Sequence, residues 1–290
     1  MIFKKKIVQL RNLLIYKFYD FEAKISSKPF QLNPEANFVT SIASYPKRDP
    51  FLPAVFQALS KQTVKPKKMI LVLSVEDYPE QKLPSHLHKL EQRGVEIMWC
   101  KDNPYAVKKL LPTMEKYPDL DVITFDDELI YGKEVIEKLI NAVKLNPKTI
   151  VGHVSKKLYR IDNKIEMYFR FKNQKTKVKS SNQIYFLGGS GTYYPKNSMS
   201  PLAFNKEALH QIVPGRGSDI WFWGAAIAQN TKQLSLDTET NLSLYFAIPS
   251  KKSGKPLDTP GILEMENRFQ KTIDYFGIRE KLLRTLPNKK

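Results

Sequence analysis

The chain has 290 residues, 42% of them hydrophobic, with 16 Phe, 14 Tyr and 3 Trp. That is ample for a sizeable core and excludes a disordered or fibrous polypeptide. Its 47 Lys and Arg against 29 Asp and Glu give a formal charge of +18, which implies anionic partners: phosphorylated substrates, acidic lipid or nucleic acid. The sequence carries no Gly-rich Walker loop, zinc-ligand spacing or RNA-binding aromatic motif, so nucleic acid is set aside. The sole cysteine, Cys100, excludes an intramolecular disulfide and fits a reducing cytoplasm.

Residues 1–33 form a basic segment read as an amphipathic helix. Phe3, Ile7, Leu10, Leu14, Phe18 and Phe21 recur at helical spacing, with Lys4, Lys5, Lys6 and Arg11 able to meet an anionic membrane surface. Docking on the body of the protein or on a partner subunit is an equal alternative. Gln9, Arg11 and Asn12 interrupt the apolar stretch, which argues against a signal peptide or a membrane span.

From Phe38 onward, short apolar runs alternate with helical patterns, the signature of an α/β domain on a mainly parallel sheet. Strands are expected at Phe38 to Ser44, Met69 to Ser74, Val95 to Cys100, Asp121 to Phe125 and Ile150 to Val154. Helices are expected at Pro53 to Lys61, Pro84 to Arg93, Ala106 to Tyr117 and Lys133 to Leu145. Further on, Gln183 to Leu187 reads as a strand, and Ile220 to Gln229 and Leu263 to Phe276 read as helices. Ligands of such sheets lie beyond the carboxyl ends of the strands. Tyr45 to Arg48, Val75 to Asp77, Lys101 to Asn103 and Asp126 to Glu128 are therefore expected to converge on one site.

Within that set, Asp126-Asp127-Glu128 follows the apolar run Val122 to Phe125. If the chain stays extended there, Asp126 and Glu128 project to the same side and can share a hard divalent cation. An acidic strand-end loop capping the next helix is the plainer alternative. The Gly188-Gly189-Ser190-Gly191-Thr192-Tyr193-Tyr194 segment is either a loop approaching a ligand closely or a tight turn. Ser218 and Asp219 sit where they can cap the helix that follows. Lys156 to Lys179 mixes Lys and Arg with Tyr159, Tyr168, Phe169 and Phe171, as an anionic acceptor site or a solvated hairpin would.

Three ordered stretches carry a family resemblance: Thr40 to Arg48 with Gln62-Thr63, Ile123 to Glu128 with Tyr131, and Ser218-Asp219-Ile220-Trp221. The chain resembles GT-A fold glycosyltransferases of the bacterial family 2-like kind found in surface polysaccharide (capsule or lipopolysaccharide) assembly. The resemblance implies a nucleotide-binding half at about 34–155 and an acceptor-binding half at about 156–290. It further implies a nucleotide-sugar donor, a UDP-sugar being favoured, and a glycan or lipid-linked acceptor. Inverting transfer assisted by Mn2+ or Mg2+ at Asp126 and Glu128 would follow, Glu128 standing where the family usually has Asp. By the same resemblance Tyr45, Lys47, Arg48, Asp102, Lys109, Asp126 and Asp127 contact the donor. Gly189, Ser190, Gly191, Tyr193 and Trp221 lie beside acceptor or sugar, and Asp219 is the base, with Ser218 where the family commonly has a second acid. A cytoplasmic enzyme, peripheral at the inner face of the membrane, is expected. A sugar nucleotidyltransferase, or a non-catalytic membrane- or polysaccharide-binding protein on the same scaffold, remains as an alternative.

Overall fold

Each apolar run after Phe38 becomes a strand in the computed structural model, which describes residues 2–167, 181–186, 191–236, 245–248 and 261–289. The first four strands are β1 (Phe38–Ala43), β2 (Met69–Ser74), β3 (Val95–Cys100) and β4 (Asp121–Phe125). Short strands follow: β5 (Leu129–Tyr131), β6 (Ile150–Gly152), β7 (Ser155–Lys157), β8 (Arg160–Ile161), β9 (Lys164–Ile165), β10 (Ile184–Phe186), β11 (Thr192–Tyr194), β12 (Gln233–Ser235) and β13 (Tyr245–Ala247). Seven build the main sheet, in the order β12-β6-β11-β4-β1-β2-β3. All its neighbours pair in parallel except β11, which runs antiparallel to both β4 and β6.

Parallel pairing requires crossovers, and the helices supply them. α1 (Ile2–Ile25) precedes the sheet; α2 (Leu52–Ser60), α3 (Ser85–Gln92), α4 (Leu111–Lys116) and α5 (Val135–Leu145) link its strands. α6 (Lys206–Ile212) and α7 (Ser218–Ala228) return the chain from β11 to β12, and α8 (Ile262–Tyr275) and α9 (Arg279–Thr285) close it. The helix expected over Ala106 to Tyr117 is divided. A 3-10 turn at Tyr105–Lys109 precedes α4, with Leu110 between them at φ −114°. Pro112 lacks the N–H a continuous ladder needs there, so it sits in the first turn of a new helix instead.

Because β1 and β2 are buried on both faces, their sequences read as apolar runs rather than as alternation. Val39, Ile70, Val72 and Val122 pack against α7, α8 and α9. Phe38, Ile42, Leu71, Ile123 and Phe125 face α2, α3 and α5. Between these two apolar layers, the sheet directs its polar strand ends toward one edge.

α1 lies on α2, with the Tyr16 ring edge-on to Phe51 at 5.8 Å. Glu22 accepts from Gln57 Nε2 and Lys61 Nζ, both at 3.3 Å. The helix is thus docked on the body through one face. Among the described residues no helix is long and apolar enough to cross a membrane.

Candidate active site

The carboxyl ends of β1 to β4 bring their polar residues together, linked strand to strand by hydrogen bonds. Ser44, just past β1, donates to Asp127 Oδ2 at 2.7 Å. Past β2, Glu76 accepts from the Asp102 amide at 2.7 Å, and Asp77 accepts from Asn103 Nδ2 at 3.1 Å. Lys108, almost fully buried, donates to Asn103 at 3.2 Å and pairs with Asp77 at 3.5 Å. Asp49 accepts from the Tyr78 hydroxyl at 2.5 Å.

The acidic cluster lies in the turn between β4 and β5. The expectation of an extended chain through it is not met, because the backbone reverses at Asp127 and Glu128 to let β5 begin one residue later. Its three carboxylates accordingly find different partners. Asp126 accepts from Lys109 Nζ at 2.6 Å, while Arg48 Nη1 lies 2.7 Å from Glu128 and 3.8 Å from Asp127. The Asp126 amide donates to the Tyr131 hydroxyl at 2.7 Å, and the Tyr131 ring packs 4.5 Å from Phe125, so the turn is pinned from below. No three His, Cys, Asp or Glu side chains among the described residues form a metal-holding group.

Electrostatics ties this turn to Asp219. Lys109 is buried, which opposes its charge, yet the carboxylates of Asp126 and Asp219 outweigh burial and hold the ammonium above its ordinary pKa. Arg48 is balanced similarly: burial is outweighed by Asp127, the Tyr45 hydroxyl and Glu128. Tyr194 feels the charge of both acidic positions. Burial raises its phenol, and the charges of Asp219 and Asp126 add to the rise. Burial likewise raises the Tyr185 phenol, with Asp219 a further cause.

Asp219 occupies the first turn of α7, where the helix dipole favours a carboxylate. Ser218 was expected to cap this helix, but Ser218 is its first residue. The cap position falls to Gly217 at φ +123°, and no side-chain cap bond is formed. A side chain at Gly217 would be strained and would stand 3.0 Å from Val213. From α8, Arg268 donates to the Pro214 carbonyl at 2.6 Å and to the Arg216 carbonyl at 2.5 Å, fixing the loop that delivers Asp219. Behind Asp219, a cavity of about 10 Å³ is closed by Tyr194, Phe222 and Trp223. It is far too small for a sugar ring.

Of the other residues singled out in the sequence, Tyr45 joins the cluster through Arg48 Nε at 3.4 Å, and Lys47 is exposed beside it. Asp102 is exposed at φ +60° and lies 3.9 Å from Lys206. Gly191 immediately precedes β11 at φ +91°, and a Cβ there would come within 3.0 Å of the Phe125 ring, so the position requires glycine for close packing. Gly189 and Ser190 lie outside the described residues, as do Tyr168, Phe169 and Phe171.

Two assignments are corrected. Trp221 is 0% exposed, its indole N–H donates to the Ala203 carbonyl at 2.9 Å and its ring stacks on Tyr275, so it packs in the core and offers no face to a sugar. Tyr193 is buried with its hydroxyl on Asp121, at the amino-terminal start of β4, away from the acidic turn. Neighbouring strand residues face opposite sides of the sheet, so Tyr193 and Tyr194 cannot both reach the site. Tyr194 is the one beside Asp219. The part Arg268 plays here left no signal in the sequence, since the two loop carbonyls it holds lie more than fifty residues away.

No family model and no curated protein sequence matches the chain. Among solved structures it is similar to S. aureus TarS 1-349 in complex with UDP, at 12% identity and a TM-score of 0.52 over 84% of this chain and 65% of that one. It is also similar to S. aureus TarS 1-349 in complex with UDP-GlcNAc, at 9% identity and a TM-score of 0.50 over 84% and 66%. The chain thus spans just under two thirds of those structures. At such identities the likeness is one of fold, a GT-A-like, mainly parallel sheet flanked by helices and preceded by an N-terminal helix.

Proposed function

We propose that the chain is a glycosyltransferase that moves a sugar from a UDP-sugar to a glycan or lipid-linked hydroxyl, with inversion and with Asp219 as base. The observation that carries this reading is Lys109, which donates to Asp126 and feels the charge of Asp219, so that diphosphate-side and base-side carboxylates belong to one site. The uridine nucleotides named for the two similar structures support the choice of donor.

In the proposed reaction an acceptor oxygen attacks the anomeric carbon and its proton passes to Asp219. The bond from that carbon to the β-phosphate oxygen breaks, and its electron pair leaves with UDP. Arg48 and Lys109 are preorganised cations beside the departing diphosphate, so they stabilise the charge it gains. Tyr194, Phe222 and Trp223 pack around the small cavity that Asp219 lines, so Asp219 sits against an aromatic wall.

Asp126 and Glu128, both partly exposed, are the residues that would hold a Mn2+ or Mg2+ ion, each giving up its pairing with Lys109 or Arg48 to do so. Two carboxylates suit such an ion when substrate phosphates and water complete its shell. When bound, the ion supplies Lewis-acid stabilisation of the leaving diphosphate.

The test is calorimetric titration with UDP-, GDP-, CMP- and TDP-sugars, with and without Mn2+, together with donor turnover by the intact protein and Asp219→Asn. UDP-sugar binding is expected in both proteins, with kcat lowered roughly 10²- to 10⁴-fold in the variant. Absence of nucleotide binding to the intact protein would sink the transferase reading, and transfer by Asp219→Asn at the normal rate would remove the base.

A further inference from the structure

The face of α1 opposite its docking surface carries an apolar stripe that the fold leaves uncovered. Ile7, Leu10, Leu14, Phe18, Phe21 and Ile25 are each 53–67% exposed, while Tyr16 on the other side is buried. At about 100° per residue these six fall within one narrow band that runs roughly 27 Å along the helix, from Ile7 to Ile25. Lys6, Lys17 and Lys24 fall along one edge of the band and Arg11 along the other. The two acids of this helix are occupied: Asp20 pairs with Lys24 at 2.7 Å and Glu22 with Lys61 at 3.3 Å. An apolar cleft lined by Leu14, Phe18 and Phe246 continues the band toward β13.

We infer that this stripe seats the protein on an anionic phospholipid bilayer, α1 lying in the interface with its axis parallel to the surface. Two features select a bilayer over a second copy of the chain. First, Ile7, Leu10 and Leu14 recur eleven residues later as Phe18, Phe21 and Ile25. That period, about 3.67 residues per turn, departs from the 3.5 of a left-handed coiled-coil seam. A heptad seam begun at Ile7, Leu10 and Leu14 would require apolar residues at 17 and 24, and both are lysine. Second, the cations along both edges suit phosphate headgroups, their alkyl stems crossing the apolar boundary while the charges stay in water. No helix among the described residues can span the membrane, so the contact is interfacial. The inference is independent of the transferase reading, since it concerns the face of α1 turned away from α2 and the sheet.

Vesicle co-sedimentation of the full chain tests it, using phosphatidylcholine vesicles with and without about 30 mol % phosphatidylglycerol, at low and high salt. Binding to the anionic vesicles, weakened by salt, is expected. Phe18→Ser with Phe21→Ser should lower the partition coefficient about tenfold or more, and Lys17→Glu with Lys24→Glu should remove the preference for anionic lipid. Both pairs are exposed, so unchanged thermal melting verifies that the fold is intact. Undiminished binding by the Phe18/Phe21 variant overturns the proposal, as does failure of the intact protein to bind anionic vesicles. If light scattering instead finds a dimer that this variant dissociates while vesicle binding stays the same, the stripe is an interface between copies. Sugar transfer is not measured, so failure here leaves the transferase reading untouched, and the reverse holds too.

Discussion

Asp127 is held in the folded chain against its own ionisation. Burial, the largest influence, pushes its carboxyl up to about 6, while Arg48 and the Ser44 hydroxyl pull it down, and the neighbouring charges of Asp126 and Glu128 add to the rise. Asp49, buried beneath the same strand ends, is likewise raised to about 6 by burial, partly offset by the Tyr78 hydroxyl. An unfolded Asp titrates near 3.9, so between about pH 4 and 6 the unfolded chain releases protons that the folded chain keeps. The folded state then binds more protons, and stability falls as pH rises through that window, by roughly 2–3 kcal/mol for each group. Asp127→Asn deletes one of these contributions. Urea unfolding should therefore find the variant more stable than the parent at pH 7 and about half as steep between pH 4 and 6. An unchanged slope would mean that Asp127 is ionised without penalty. A carboxylate that weakens the fold beside the proposed diphosphate site is the kind of cost that function retains.

Helix α7 depends on α8 for the position of Asp219, and the two approach closely at Gly224. A Cβ there would stand 2.6 Å from Thr272 Cγ2 and 2.8 Å from the Phe276 ring. Trp223 stacks on Phe269 at 5.0 Å and Trp221 on Tyr275 at 5.2 Å, so the helices meet along an aromatic seam with glycine at a point of close approach. Gly224→Val should force them apart, with a loss of about 1–3 kcal/mol in chemical denaturation. If the transferase reading holds, kcat should fall more than donor affinity, because Asp219 moves and the strand-end residues do not. Stability equal to the parent's would disprove the packing account. The helix itself is legible in the sequence: Ile220 to Gln229 was expected and Ser218–Ala228 is found. Its dependence on α8 was not, because apolar periodicity reports which face is buried and not what covers it. The acidic turn shows the same division. Its place after β4 follows from the apolar run before it, whereas Lys109 and Arg48 were assigned to a donor and their direct pairing with Asp126 and Glu128 is a tertiary fact.

At the scale of the whole molecule, the parallel strands β1 to β4 and their crossover helices could be read from local pattern, since each is a short apolar run followed by a helical one. The insertion of antiparallel β11 between β4 and β6 could not, because strand order depends on pairing between distant segments. The same limit applies to residues 1–33, for which the sequence leaves docking on the body and contact with a membrane as equal alternatives. In the fold they are part of the body. The Phe30 amide donates to the Arg93 carbonyl at 2.8 Å, and Arg93 Nε donates to the Lys28 carbonyl at 2.9 Å while its guanidinium lies 4.0 Å from the Phe30 ring centre. Arg93 is almost fully buried, and burial lowers its pKa. Removing residues 1–33 would therefore expose the α2 surface under Tyr16 and leave the buried Arg93 without the Lys28 carbonyl and the Phe30 ring, with Gln57 retained. Losing the burial of Tyr16 and Phe30 alone is worth about 3–6 kcal/mol. A chain starting at Pro34 should melt at least several degrees below the full chain, given roughly 2–4 °C per kcal/mol in domains somewhat smaller than this one. Melting within a degree of the full chain would make α1 a detachable appendage. The expected fall makes truncation an unsuitable probe of lipid binding, because a destabilised body exposes apolar surface of its own; substitutions on the outer stripe keep the inner face of α1, and with it the fold, in place.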